Sequence, residues 1–222
     1  VVRPLSFSMI QEMLGIVNQK ETFSQSAWHG TPHDFDGFDL GAIGTGEGAQ
    51  AHGWGLYFAQ NRKTSEVYRK RLSGIEKRGF LYEAEIPDND VLLDEQKPFN
   101  EQPPKVRKSL EKLVRGLTLD QLENWNDVRR LGKDKVVAEI MDALSESDGM
   151  NIYGTISDLV EGQQEASELL NQCGVKGIAY NDEQSGRCFV IFDDKAISII
   201  EKFNQMLRQE VKGEISKEDG KR

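Results

Sequence analysis

Cysteine occurs only twice in the 222 residues, as Cys173 and Cys188. Two thiols cannot build a disulfide framework, and they fit a reducing compartment better than a secreted one. Proline is also scarce, with six residues, which excludes collagen-like and proline-rich chains. No apolar run approaches the ~18 residues that a membrane span needs. Basic residues number 28 against 37 acidic ones, a formal charge of −9. A broad basic face for binding phosphate backbones is therefore excluded, although a local patch is not. The chain opens Val1-Val2-Arg3-Pro4-Leu5, with neither an initiator Met nor an apolar signal core. The expectation is a domain cut from a longer polypeptide, with no signal peptide and no membrane association in this fragment.

What the chain does have is concentrated. Glycines 37, 41, 44, 46, 48, 53 and 55 crowd one short segment, and all three histidines, His29, His33 and His52, lie in or beside it. Function is expected there. Zinc is one option for three histidines, but Pro32 disfavours a helix carrying His29 and His33 on one face, and no CxxC or HExxH occurs. No metal is expected. The Gly44-Thr45-Gly46-Glu47-Gly48 run lacks both the lysine of a phosphate-binding loop and the spacing of a dinucleotide fingerprint.

Periodicity supplies the elements. Met9, Ile10, Met13, Leu14 and Val17 predict an N-terminal helix over 6–20. A short strand is predicted over 26–31 and another over 55–59. Asn61 is placed to cap a helix running to about Leu72. Alternation predicts a strand over 80–87, followed by a long connection over 88–104. Apolar stripes at 106, 110, 113 and 114 and at 136, 140 and 144 predict a helical insert over 105–146. Thr118 and Gln121 match a capping box within it. Its expected role is a helical subdomain, with a lid over the site as the alternative. A helix over 165–173 ending at Gly174, a strand over 177–180, a turn over 181–186 and a core strand over 188–192 complete the body. The charged tail over 205–222 is expected to fray. Without regular βαβ alternation, the fold class is α+β, with residues 1–25 as an N-terminal helix and 26–204 as the main domain.

The segment SAWHGTP…GEGAQAHGWGLYFAQNRKTSEVY resembles the NAD-binding half of the His-Tyr class of ADP-ribosyltransferases, which includes diphtheria toxin and the poly(ADP-ribose) polymerases. That class ends a strand in His-Gly-Ser/Thr, here His29-Gly30-Thr31. A second strand reads Gly-x-Gly-Ile/Leu-Tyr-Phe-Ala, here Gly53 to Ala59. A helix then carries Ser-x-x-Tyr, here Ser65 and Tyr68, the latter eleven residues after Tyr57. The pieces QEASELLNQCGVKGIAY and RCFVIFDDKAISII are also similar to transferase domains embedded in polyvalent or toxin-like proteins of phages and mobile elements.

The resemblance implies a split antiparallel β core with flanking helices and NAD⁺ as substrate. Gly30 would lend main-chain atoms to the nicotinamide carboxamide, and Ser65 a hydroxyl to the same group. Tyr57 and Tyr68 would stack on the two sides of the cationic ring. His29 would hold ribose hydroxyls, and the loop from Gly41 to Gly53 would wrap the pyrophosphate. Thr31, Gln50 and Gly55 complete the expected NAD-binding set. Read one at a time, Tyr57 beside Phe58 would be core packing, and Ser65 with Tyr68 an amphipathic helix face. Trp28 and Trp54 are expected to pack, and His33 and His52 to be loop residues.

The class pattern has a Glu opening the last core strand, which stabilises the oxocarbenium-like charge as the glycosidic bond breaks. Here Cys188 occupies that position. Glu47 is the expected substitute and Glu183 the alternative, with Asp193 and Asp194 read as caps. The expected activity is mono-ADP-ribosylation of a macromolecular acceptor, protein rather than nucleic acid. An NAD⁺ glycohydrolase and a binding module that has lost its chemistry are the alternatives.

Overall fold

The computed structural model describes residues 23–43, 50–73, 79–118, 122 and 131–204. The helix expected over 6–20, the capping box at Gln121, the loop acid Glu47 and the tail from 205 lie outside the described residues.

Ala27, Ala84 and Ile86 are wholly buried and alternate with more exposed neighbours, which is how a strand shows one face to a core. Among the described residues seven strands form one mixed sheet. These are β1 (Gln25–Thr31), β2 (Leu56–Ala59), β3 (Phe80–Ile86), β4 (Leu92–Asp94), β5 (Gly177–Asp182), β6 (Gly186–Ile191) and β7 (Ser198–Asn204). Their order is β4-β5-β6-β2-β1-β3-β7. Every pairing is antiparallel except β4 with β5.

Five helices accompany the sheet: α1 (Arg62–Ser73), α2 (Pro104–Gly116), α3 (Lys133–Ser145), α4 (Gly149–Leu159) and α5 (Gln163–Cys173). Asn61 Oδ1 accepts from Lys63 N at 2.9 Å and so caps α1 as its sequence suggests. Gly174, at φ 99°, ends α5 in the left-handed conformation that a glycine adopts without penalty.

The buried stripes of α2, α3, α4 and α5 share one apolar cluster with Ala59, Ile178, Tyr180, Cys188 and Val190 of the strands. The 105–146 stretch therefore shares the core of the sheet. A second cluster, on the opposite face, gathers Ala27, Phe58, Ala84, Phe189 and Ile191, with Phe38 packed against it.

The structure departs from the sequence expectation in three places, the first being the edge strand β7, to which no element was assigned. The connection over 88–104 contains β4, whose three buried residues are too few to show alternation. Residues 149–159, to which no element was assigned, form α4. Its two glycines and its β-branched residues lower helix propensity, but Ile152, Tyr153, Ile156 and Leu159 give it a buried face.

Candidate functional site

β1 pairs with β3 along its whole length, but with β2 only at Trp28↔Ala59. Beyond that pair the two strands diverge. His29 lies at the split, and its Nδ1–H donates to the carbonyl oxygen of Tyr57 at 2.8 Å. A carbonyl can only accept, so this bond fixes the tautomer and leaves Nε2 as the acceptor. Phe38 meets the His29 ring edge-on at 5.3 Å between centroids, with Phe58 at 5.6 Å and Phe35 at 6.3 Å. Burial lowers the His29 pKa from the ordinary 6.5, and the bond to Tyr57 offsets that only in part. The imidazole is therefore neutral at pH 7.

Gly30 sits under α1. A Cβ there would collide with the carbonyl oxygen of Ser65 and lie 3.0 Å from the Arg69 nitrogen, so only glycine lets the helix backbone come this close. Ser65, 3 % exposed, ties the same contact with a hydroxyl bond to the Trp28 carbonyl at 2.8 Å. Thr31 is buried, and its Oγ1 accepts from His33 N at 3.2 Å, which turns the chain at the end of β1. Arg69, one turn beyond Ser65, has a buried Nε with no partner among the described residues. Tyr68 lies on α1, three residues after Ser65, and its side chain lies outside the described residues.

Tyr57 packs against the helix-side cluster, whereas His29 and Phe58 meet on the other side of the sheet. The Tyr57 hydroxyl donates to the Gly53 carbonyl at 2.9 Å and accepts from His52 N at 3.2 Å. Burial pushes the phenol up to about 12, so it stays protonated at neutral pH. Gln50 folds back, its Oε1 accepting from Gly55 N at 3.3 Å. Gly55 abuts β6, where a Cβ would lie 2.6 Å from the Ile191 carbonyl oxygen. Gln50 and Gly55 thus brace the start of β2.

His52, expected to be a plain loop residue, is the main surprise. Its Nδ1 lies 2.9 and 3.0 Å from the two carboxylate oxygens of Glu95, and its ring stacks on Tyr180 at 3.8 Å between centroids. Glu95 directly follows β4, and its side chain is 8 % exposed against 32 % for His52. Both residues line a cavity of about 130 Å³, together with Gly53, Gly149, Tyr153 and Ile178. The sequence offered one hint: Asp94-Glu95 ends the apolar run Val91-Leu92-Leu93.

Cys188 is 5 % exposed, faces the helix-side core and pairs with Ala59 and Tyr180. Burial pushes its thiol up to about 11, so it supplies neither a carboxylate-like charge nor a ready thiolate. Glu183 is exposed at the tip of the β5–β6 turn. Asp193 caps a short turn by accepting from Lys195 N, and Asp194 accepts from Leu40 N. Trp28 packs against Phe203, 5.7 Å between centroids, and the Arg62 guanidinium lies over both rings. Among the described residues no group of three His, Cys, Asp or Glu side chains could hold a metal, and no helix is long and apolar enough to cross a membrane. No family model, curated protein or solved structure matches the chain.

Proposed function

We propose that the chain is a mono-ADP-ribosyltransferase that transfers ADP-ribose from NAD⁺ to a macromolecular acceptor and releases nicotinamide. The observation that carries this reading is the split beside His29. The β1–β2 ladder stops at Trp28↔Ala59, one residue before the His-Gly pair, and the His29 ring reaches the Tyr57 main chain there. Past Trp28 the β2-facing edge of β1 pairs with no strand among the described residues. A strand edge of that kind can read an amide through main-chain donors and acceptors. At this seam the His29 ring meets the main chain of Tyr57, and the Ser65 hydroxyl binds the Trp28 carbonyl one residue before His29. Arg69, whose backbone nitrogen lies close to Gly30, carries a guanidinium, a group suited to pyrophosphate.

In this reading the neutral His29 offers Nε2 to a ribose hydroxyl, and the Tyr57 carbonyl fixes the imidazole for that role. The acceptor is a protein, in keeping with a net charge of −9. A second reading, a module that binds NAD⁺ without turnover, is favoured by one observation: a buried, neutral Cys188 stands where the resemblance calls for a glutamate.

The test is mass spectrometry of a cell lysate incubated with the protein and NAD⁺, alongside a nicotinamide-release assay. Transfer predicts ADP-ribose adducts that vanish with His29→Ala. Free ADP-ribose without adducts would make the protein a glycohydrolase, and calorimetric binding without nicotinamide release would make it the binding module. Full activity in His29→Ala would refute the site.

A further inference from the structure

The cavity of about 130 Å³ lies on the helix side of the sheet and is separate from the seam at His29. Ile178 and Tyr153, which line it, belong to the helix-side cluster, whereas the His29 ring packs on Phe38 and Phe58 of the other face. Its charged fixture is the His52–Glu95 pair. Glu95 is almost wholly withdrawn from water, and both its oxygens face His52 Nδ1. Nδ1–H is thereby committed to the carboxylate, and in the neutral ring Nε2 is an acceptor that no described residue bonds. Tyr180 fixes the plane of the imidazole by stacking on it at 3.8 Å between centroids. Ile178, Met150 and the Tyr153 ring supply apolar wall. Tyr153 offers no polar group, because its hydroxyl is engaged by Trp54 N, the Gln163 carbonyl and the Ser167 hydroxyl. Gly154, also in the wall, lies in the middle of α4, where alanine would favour the helix more. Yet a Cβ there would meet nothing within 4 Å. The helix forgoes a methyl that the space could hold, so the room is kept at the expense of α4.

We infer that this cavity is a binding site for a small phenol, whose ring lies against Tyr153, Met150 and Ile178 and whose O–H is received by His52 Nε2. The size argues for a single ring: an apolar cavity near 150 Å³ takes up benzene, and a nucleotide is several times too large. The polar groups then select among rings. A ligand carboxylate would sit beside the Glu95 carboxylate and be repelled. A bare hydrocarbon would leave the His52 acceptor without a partner. An ammonium ion would seek Glu95, but both carboxylate oxygens already face Nδ1–H. A hydroxyl supplies the one donor that the neutral imidazole lacks, and Glu95 holds the tautomer that receives it. Met150 lines the cavity although it is 57 % exposed, so the space lies just under the surface behind a pliable side chain.

The experiment titrates the whole chain with phenol, benzene and benzylammonium, and reads calorimetric affinity and backbone amide NMR shifts. The same titrations are run on Gly154→Leu, Gly154→Ala, His52→Gln and Glu95→Gln, with thermal unfolding as the check on folding. Phenol is expected to saturate with a Kd of about 1 mM or lower and to shift the amides of Met150 and Gly154. Benzene should bind about fivefold more weakly, the equivalent of one neutral hydrogen bond. Gly154→Leu should fill the space and abolish phenol binding in a folded chain. Should leucine unfold it, Gly154→Ala carries the test, with an unfolding midpoint about 2 °C higher and phenol affinity about threefold lower. His52→Gln keeps a donor for Glu95 and should weaken phenol about fivefold, whereas Glu95→Gln still accepts from Nδ1–H and should leave it within about threefold. The inference is overturned by no saturation up to about 10 mM phenol, by shifts confined to other residues, or by benzene binding as tightly as phenol. Unchanged phenol affinity in a folded Gly154→Leu also overturns it. So does benzylammonium binding more tightly than phenol and losing that affinity in Glu95→Gln, which would make the cavity a cation site. None of these outcomes bears on the NAD⁺ reading, because neither His52 nor Glu95 enters it.

Discussion

Gly30→Ala is the sharpest test of how the site is built. The added methyl would collide with the Ser65 carbonyl oxygen and lie 3.0 Å from both the Ser65 carbonyl carbon and the Arg69 nitrogen. All three atoms belong to the α1 backbone, so no rotamer change relieves the clash and the helix must lift from β1. Overfilling a packed contact costs ~1–3 kcal/mol. Lifting α1 also breaks the 2.8 Å bond from the Ser65 hydroxyl to the Trp28 carbonyl, which is worth ~1 kcal/mol. The expected loss is about 2–4 kcal/mol. With a urea slope of ~2 kcal/mol per molar, the unfolding midpoint should fall by about 1–2 M. Ser65→Ala is the control: it removes the hydroxyl bond without lifting the helix and should lower the midpoint by only about 0.5 M. Equal midpoints for Gly30→Ala and the unsubstituted chain would refute the close packing of α1 on β1, and with it the reason given for glycine here.

Two further outcomes follow from buried titratable groups. Burial lowers the His29 pKa below 6.5, so under acid conditions the unfolded chain binds a proton that the folded one refuses. Stability should therefore fall as the pH drops below about 6.5. His29→Gln keeps a donor for the Tyr57 carbonyl and removes that titration, so its urea midpoint should fall less between neutral and mildly acid pH; parallel curves would contradict the argument. For Cys188, a thiol raised from 9.0 to about 11 has a thiolate fraction about 100-fold lower at pH 8. Iodoacetamide should therefore label the Cys188 peptide at least about 100-fold more slowly in the native protein than in urea, as read by mass spectrometry. Equal rates would show that the strand position is open to solvent.

Local chemistry made much of this legible. Asn61 followed by a polar helix start marked the beginning of α1, and Gly174 marked the end of α5, because caps are decided by one or two neighbouring residues. His29, Tyr57 and Ser65 could be read together because they fall in one short stretch. β4 and α4 were missed for opposite reasons: three residues carry no period, and two glycines mask a helix held by its buried stripe. The His52–Glu95 pair was missed because its members stand 43 residues apart. Glu95 sits among Asp94, Gln96 and Lys97, a run that looks solvated in sequence. Only the parallel docking of β4 on β5 brings it under Tyr180 and His52.

The glycines before β2 suggest a flexible loop, yet residues 50–55 are held by hydroxyls from three different elements. Tyr57 of β2 bonds Gly53 and His52, Tyr153 of α4 accepts from Trp54 N at 3.0 Å, and Ser167 of α5 donates to the Trp54 carbonyl at 2.7 Å. Gly53 has a φ of 115°, and a Cβ there would lie 2.9 Å from Ile178 Cδ1 and 3.0 Å from the Tyr153 ring. Close approach and a backbone shape that side chains disfavour explain that glycine, and mobility is not needed. His52 belongs to a segment fixed at its neighbours on both the sheet and the helix layer. Its contact with Glu95 rests on that fixed segment, although its place in the sequence reads as linker.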